Sequence, residues 1–234
     1  MMKRQEALIL FILCCAMTYA QPRKESLVNY GVKAGFSSTI YDIIDLRVNT
    51  LPINNYTAKS EISSFFTAFA RFNIKKHYLQ TEVSYNISNY SIYFPTEQWD
   101  PSANKTMQSV ISTKINGIEI PLYYGYHIMK EGPYGMSFYL GPKAKFVHTD
   151  YSKHTFDNFP YKHIKESIYP INFSIMFGVG INISRVFFDF SLEYGLHNIS
   201  QGIEATDNNN DINTGSIVFD RRKNVLSFSI GFIL

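Results

Sequence analysis

The chain is short of the residues on which small catalytic and metal-binding domains rely. Its two cysteines, Cys14 and Cys15, are adjacent and fall within the first twenty residues. That stretch reads as an export signal. Lys3 and Arg4 give a positive start, Ala7 to Met17 an apolar run, and Thr18 and Ala20 the small residues before a cut at Gln21. Leu13 precedes Cys14, where a lipoprotein signal wants a small residue. Residues 21–234 are therefore expected to form a mature chain without cysteine, which excludes a disulfide scaffold and a cysteine zinc site. No long apolar run follows the signal, whose own run is too short for a transmembrane helix. Charge of one sign is not in excess. Without Lys3, Arg4 and Glu6, the 22 basic and 19 acidic residues fall to 20 and 18, too balanced for nucleic-acid binding. A Gly-rich phosphate loop after a strand, His-Glu-x-x-His and Gly-x-Ser-x-Gly are also absent.

Aromatic residues are plentiful, with 17 Tyr and 19 Phe against a single Trp. They fall into alternation. In Tyr78–Ser88, Leu79, Thr81, Val83, Tyr85 and Ile87 share one face, and Gln80, Glu82, Ser84, Asn86 and Ser88 the other. A period of two is a strand. Its length, about 36 Å at 3.3 Å per residue, spans about 28 Å when tilted near 40°, which matches a hydrocarbon core. The same pattern recurs over about Leu27–Ser38, Ser63–Phe72, Ile115–Ile128, Tyr134–Val147, Ile171–Asn182, Phe187–His197 and Val225–Leu234. Eight strands result. Short turns follow the second, fourth and sixth. Long loops, Tyr41–Glu61, Phe94–Ser112, His148–Tyr169 and Ser200–Arg222, follow the first, third, fifth and seventh. Short turns at one end and long loops at the other mark an up-and-down barrel of the outer-membrane kind, because a Greek-key sandwich needs no such sorting. The expected fold is all-β, an eight-stranded antiparallel up-and-down transmembrane β-barrel, as one domain over residues 21–234. Pro121, inside the fourth strand, predicts a local break in the ladder.

Small and charged residues share one face: Lys33, Arg71, Lys143 and Lys145 lie there with Glu82, Glu119, Asp189 and Glu193, among many glycines. An eight-stranded barrel is just wide enough for side chains to fill it. The expectation is an interior ion-pair network without an open water channel. Counting outward from the Lys130–Pro133 turn places Glu119 about opposite Lys143.

Tyr78-Leu-Gln-Thr-Glu-Val-Ser-Tyr85 resembles the Tyr-Leu-Gln-Pro-Glu-Leu-x-Tyr stretch of the PorT-like outer-membrane β-barrel family of Gram-negative bacteria, with Thr81 in place of proline. Gly117-Ile-Glu-Ile-Pro-Leu122, Gly141-Pro142, Phe177-Gly-Val-Gly180 and Glu193-Tyr-Gly-Leu-x-Asn198 extend the likeness over most of the mature chain. The ending Phe232-Ile-Leu234 departs from the terminal aromatic common in such barrels. The resemblance implies a place in the outer membrane, contact with its lipid and with the barrel-insertion machinery, and, through the family's name-giving members, a role accessory to protein secretion with secretion-system proteins as partners.

Three functions remain open on the sequence: a non-enzymatic barrel acting through its loops, a porin for small solutes, and a membrane enzyme acting on lipid. Neither a cofactor nor a catalytic residue is assigned. The cluster His148, His154, His163, Asp150 and Asp157 fits no strong metal-ligand spacing, nor does Asp207–Asp211 fit a calcium loop. Glu193 and His197 share a strand face about 13 Å apart, too far for a hydrogen bond.

Overall fold

The computed structural model describes residues 26–48, 51–60, 62–98, 100, 102, 107–147, 153–158, 163–206 and 217–234. The signal segment, Trp99, His148, Asp150 and Asp207–Asp211 lie outside them. In chain order the strands are β1 (Val28–Val48), β2 (Leu51–Pro52), β3 (Thr57–Ser60), β4 (Ile62–Ile74), β5 (His77–Pro95), β6 (Gln108–Glu131), β7 (Tyr134–Val147), β8 (Lys153–Asp157), β9 (His163–Ile168), β10 (Ile171–Ile183), β11 (Val186–Gly195), β12 (Ser200–Thr206) and β13 (Ile217–Ile233). Eight form a ring in the order β1-β4-β5-β6-β7-β10-β11-β13. It closes where β13 pairs with β1, from Gly31↔Ile233 to Val48↔Ile217. Each neighbour runs antiparallel to the next. The fold is an eight-stranded up-and-down β-barrel, and closure leaves the ring no free edge.

The short turns stand where alternation breaks. Ile74 pairs with His77 and Ile183 with Val186, leaving two-residue loops. Each carries a left-handed residue, Lys75 (φ 55°) and Ser184 (φ 58°), as tight hairpins require. At Pro121 the β5–β6 ladder is interrupted between Thr81↔Leu122 and Ser84↔Glu119.

The long loops differ from expectation. Much of each is strand. β1 runs ten residues past Ser38, β5 reaches Pro95, β6 begins at Gln108, and β13 begins at Ile217. β3 and β8 add to the sides of β5 and β6, and β12 and β9 to the side of β13. The expected seventh strand is shorter and ends at Gly195.

The reason is an inversion of polarity along single strands. In β6, Ile118, Ile120, Leu122, Tyr124, Tyr126 and Ile128 all point outward and are exposed, while Glu119, Tyr123 and His127 are buried inside. This apolar stretch covers about 28 Å of bilayer at a 40° tilt. Further up the same strand, without a change of phase, Ile115 and Ile111 are buried inside and Asn116, Lys114 and Ser112 point out. In β13, Leu226, Phe228 and Ile230 face out in the lower half, whereas Phe219 and Ile217 face in above. β1 makes the change with a bulge between Ile43 and Asp45, after which Leu46 and Val48 turn inward. Lipid demands an apolar outside. Beyond the lipid the outside meets water, so apolar side chains can be buried only within. The strands thus continue as a turret with the core of a soluble protein.

This boundary is testable by substitution. Leu122→Arg, in the middle of the apolar belt, is expected to destabilise the inserted barrel by about 2–4 kcal/mol. Lys114→Leu, outward on the turret, should change stability by no more than about 0.5 kcal/mol. Urea unfolding in lipid vesicles measures both, and equal effects would refute the boundary.

Candidate functional site: the barrel interior

From the short-turn end upward, the interior is filled in layers. The lowest is aromatic. Phe69 and Phe187 meet edge to face with centroids 5.3 Å apart, beside Ile233. Tyr78, Tyr123, Tyr139 and Met176 form a second cluster, with the Tyr123 and Tyr139 rings stacked at 4.7 Å. Glycines on neighbouring strands make the room. A Cβ on Gly125 would collide with the Tyr78 ring, and one on Gly231 with the Phe187 ring.

The first charged layer is built on Lys33. Its Nζ lies 2.7 Å from Glu82 Oε1 and 3.1 Å from Asp189 Oδ2. Glu82 also accepts hydrogen bonds from the Tyr123 hydroxyl and, at 2.7 Å, from Gln80 Nε2. Arg71 donates through Nε to Gln80 Oε1 and lies over the Tyr78 ring at 4.4 Å.

The second charged layer centres on Glu119. Lys143 Nζ sits 2.7 Å from its Oε2, while Lys145 and Lys223 approach Oε1 at 3.2 and 3.8 Å. Lys143 is also paired with Glu193. All five side chains are under a tenth exposed. Buried charges of this kind are tolerable only when paired.

Above lies the turret core, in which Leu46, Val48, Ile92, Phe94, Ile111 and Phe219 are among the buried residues. Among the described residues an ion pair crosses it. Arg221 Nη1 donates to Glu166 Oε1 at 2.6 Å, with both side chains fully enclosed. Arg221 also lies over the Phe219 ring at 4.1 Å. This pair ties β9 to β13.

The structure therefore places Lys33, Arg71, Glu82, Glu119, Lys143, Lys145, Asp189 and Glu193 inside, and brings seven of them into two ion-pair layers. Arg71 stands apart, without a carboxylate partner among the described residues. The register of Glu119 needs correcting. Its directly paired residue is Lys145, and Lys143 pairs with Pro121. A bulge between His127 and Met129 and a two-residue turn shift β7 by two positions from the simple count, and the long Lys143 side chain reaches back across the offset. Sequence reasoning missed Lys223, Arg221 and Glu166 because it placed the first at a loop edge and the others in loops. Continuing the odd-numbered phase of β13 from Val225 would have put Lys223 and Arg221 inside. Glu193 is held by Lys143, whereas the His197 ring packs by Tyr169 and Phe173, with centroids 6.1 and 6.2 Å away.

A closed eight-stranded ring with an apolar belt outside and ion pairs inside defines a transmembrane β-barrel. The chain belongs to the outer membrane protein β-barrel domain family, whose profile matches residues 19–201. Among solved structures it is similar to the outer membrane protein OprG of Pseudomonas aeruginosa, at 9% identity and a TM-score of 0.55, over 92% of this chain and 99% of OprG. The neisserial surface protein NspA matches at 13% identity and a TM-score of 0.38, over 90% and 99%. The attachment invasion locus protein Ail of Yersinia pestis matches at 9% identity and a TM-score of 0.41, over 89% and 100%. No curated protein matches the chain.

Proposed function

We propose that this protein is a non-catalytic, non-conducting outer-membrane barrel whose turret is its working part. The observation that carries this reading is the blocking of the interior by aromatic rings, two ion-pair layers and an apolar turret core, between which the cavities beside Glu119 and Lys145 measure only about 40 and 20 Å³. A porin needs a water-filled lumen, and an eight-stranded ring is too narrow to keep one once large side chains occupy it. The turret raises a stiff β-surface above the bilayer at the end where such barrels face the cell exterior. Its outward residues, among them Asp42, Arg47, Lys114 and Asp220, suit contact with a protein partner more than with lipid. The PorT-like motifs favour a partner from a secretion system, with the barrel serving as an accessory or structural element inserted by the outer-membrane machinery after export. Reconstitution into planar bilayers tests the reading. We expect no stable conductance above the bare membrane, and a steady large-conductance state would overturn it.

A further inference from the structure

We propose that the short-turn mouth of the barrel is a binding site for an oxyanion, a carboxylate or phosphate group offered from the periplasm. The mouth opens into a cavity of about 290 Å³. Its inner wall meets the aromatic packing, since Arg71 lies against the Tyr78, Phe69 and Phe187 rings and Ile233 packs with the two Phe side chains, so we read it as a blind cup and not the entrance to a pore. Arg71, His127, Lys130 and Arg185 line it with the amides of Asn29 and Asn182, Lys130 Nζ also donating to the Lys75 carbonyl at 2.7 Å, and among the described residues none that lines it is acidic.

Arg71 gives the cup its direction. It is 4% exposed. One nitrogen, Nε, donates to Gln80, and the guanidinium rests on the Tyr78 ring. Its two Nη groups have no carboxylate partner among the described residues. Lys33, Lys143 and Lys145, by contrast, each have a carboxylate within 3.2 Å. A buried cation without a counter-charge is costly. The guanidinium fork matches carboxylate and phosphate oxygens in pairs. Further basic groups in a low-dielectric cup raise the local anion concentration. The volume suits a small organic phosphate, or one charged group of a larger periplasmic molecule.

The full folded chain in a non-ionic detergent, titrated calorimetrically with inorganic phosphate and separately with succinate at constant ionic strength, tests the site. Saturable one-to-one binding of either anion is expected. Phosphate alone would assign a phosphate-bearing ligand, succinate alone a carboxylate, and both the shared chemistry. Arg71→Gln and Lys130→Gln are each expected to weaken binding, Arg71→Gln by about tenfold or more. Lys114→Gln on the outer turret should leave it unchanged. Should Arg71→Gln fail to fold, shown by loss of the heat-modifiable gel shift, Lys130→Gln carries the comparison. Absence of saturable binding by both anions at millimolar concentration, or equal affinity in the folded variants, would overturn the proposal.

Discussion

Glu119→Ala is expected to lower the stability of the folded barrel by about 3–5 kcal/mol, the usual effect of removing one partner from a buried ion pair. Glu119 is the carboxylate that Lys143, Lys145 and Lys223 all approach. Its loss leaves Lys143 with Glu193 alone and deprives Lys145 and Lys223 of their carboxylate partner among the described residues. Desolvation of those ammonium groups is then no longer offset. Glu119→Gln keeps the volume and the hydrogen-bond acceptor but not the charge, so it should recover packing without recovering stability. Urea unfolding of vesicle-inserted protein, read by Tyr and Trp fluorescence, supplies the comparison. A variant as stable as the parent would show that water or ions compensate the lysines and that the network is not what holds this layer.

Phe94→Ala should cost about 3–5 kcal/mol of turret stability, as large-to-small changes do at well-packed sites. Phe94 is 1% exposed, near the top of β5, and belongs to the same cluster as Ile92, Ile111 and Phe219. The damage should stay local. Amides of Gln108–Lys114 and Ile217–Arg222 are expected to exchange faster, while those of Ile118–Ile128 stay protected by the lipid-embedded ring. Exchange followed by mass spectrometry distinguishes the two regions. Uniform acceleration along β6 would mean that turret and membrane ring unfold as one unit.

The parts of this structure that could be read in advance share a physical origin. Ile171 to Ile181 alternates with Asn172, Ser174, Met176, Gly178 and Gly180 because one side of β10 meets lipid and the other a crowded interior. Leu122 to Tyr126 does the same around Tyr123 and Gly125. Alternation is a property of one strand, so it survives without knowledge of the partners. It was enough to give the ring of eight, the short turns at one end and the inward placement of eight charged residues.

Two things were hidden from that reading. Ile111, Ile115, Phe219 and Ile217 alternate too, but with the apolar side turned inward. A search for lipid-facing strands breaks off at Asn116 and Asn224, where the outer surface meets water. The second was the choice of partners. Glu119 faces Lys145 in register and reaches Lys143 diagonally because a two-residue turn and the bulge beside it together set the β6–β7 register, and it meets Lys223 only because β13 closes the ring. The chain by itself determined which side chains share a face, since the pleat sets that locally. Only the closed barrel decided which charges meet and where the inside changes from polar to apolar, because both depend on register and on the height at which each strand leaves the lipid.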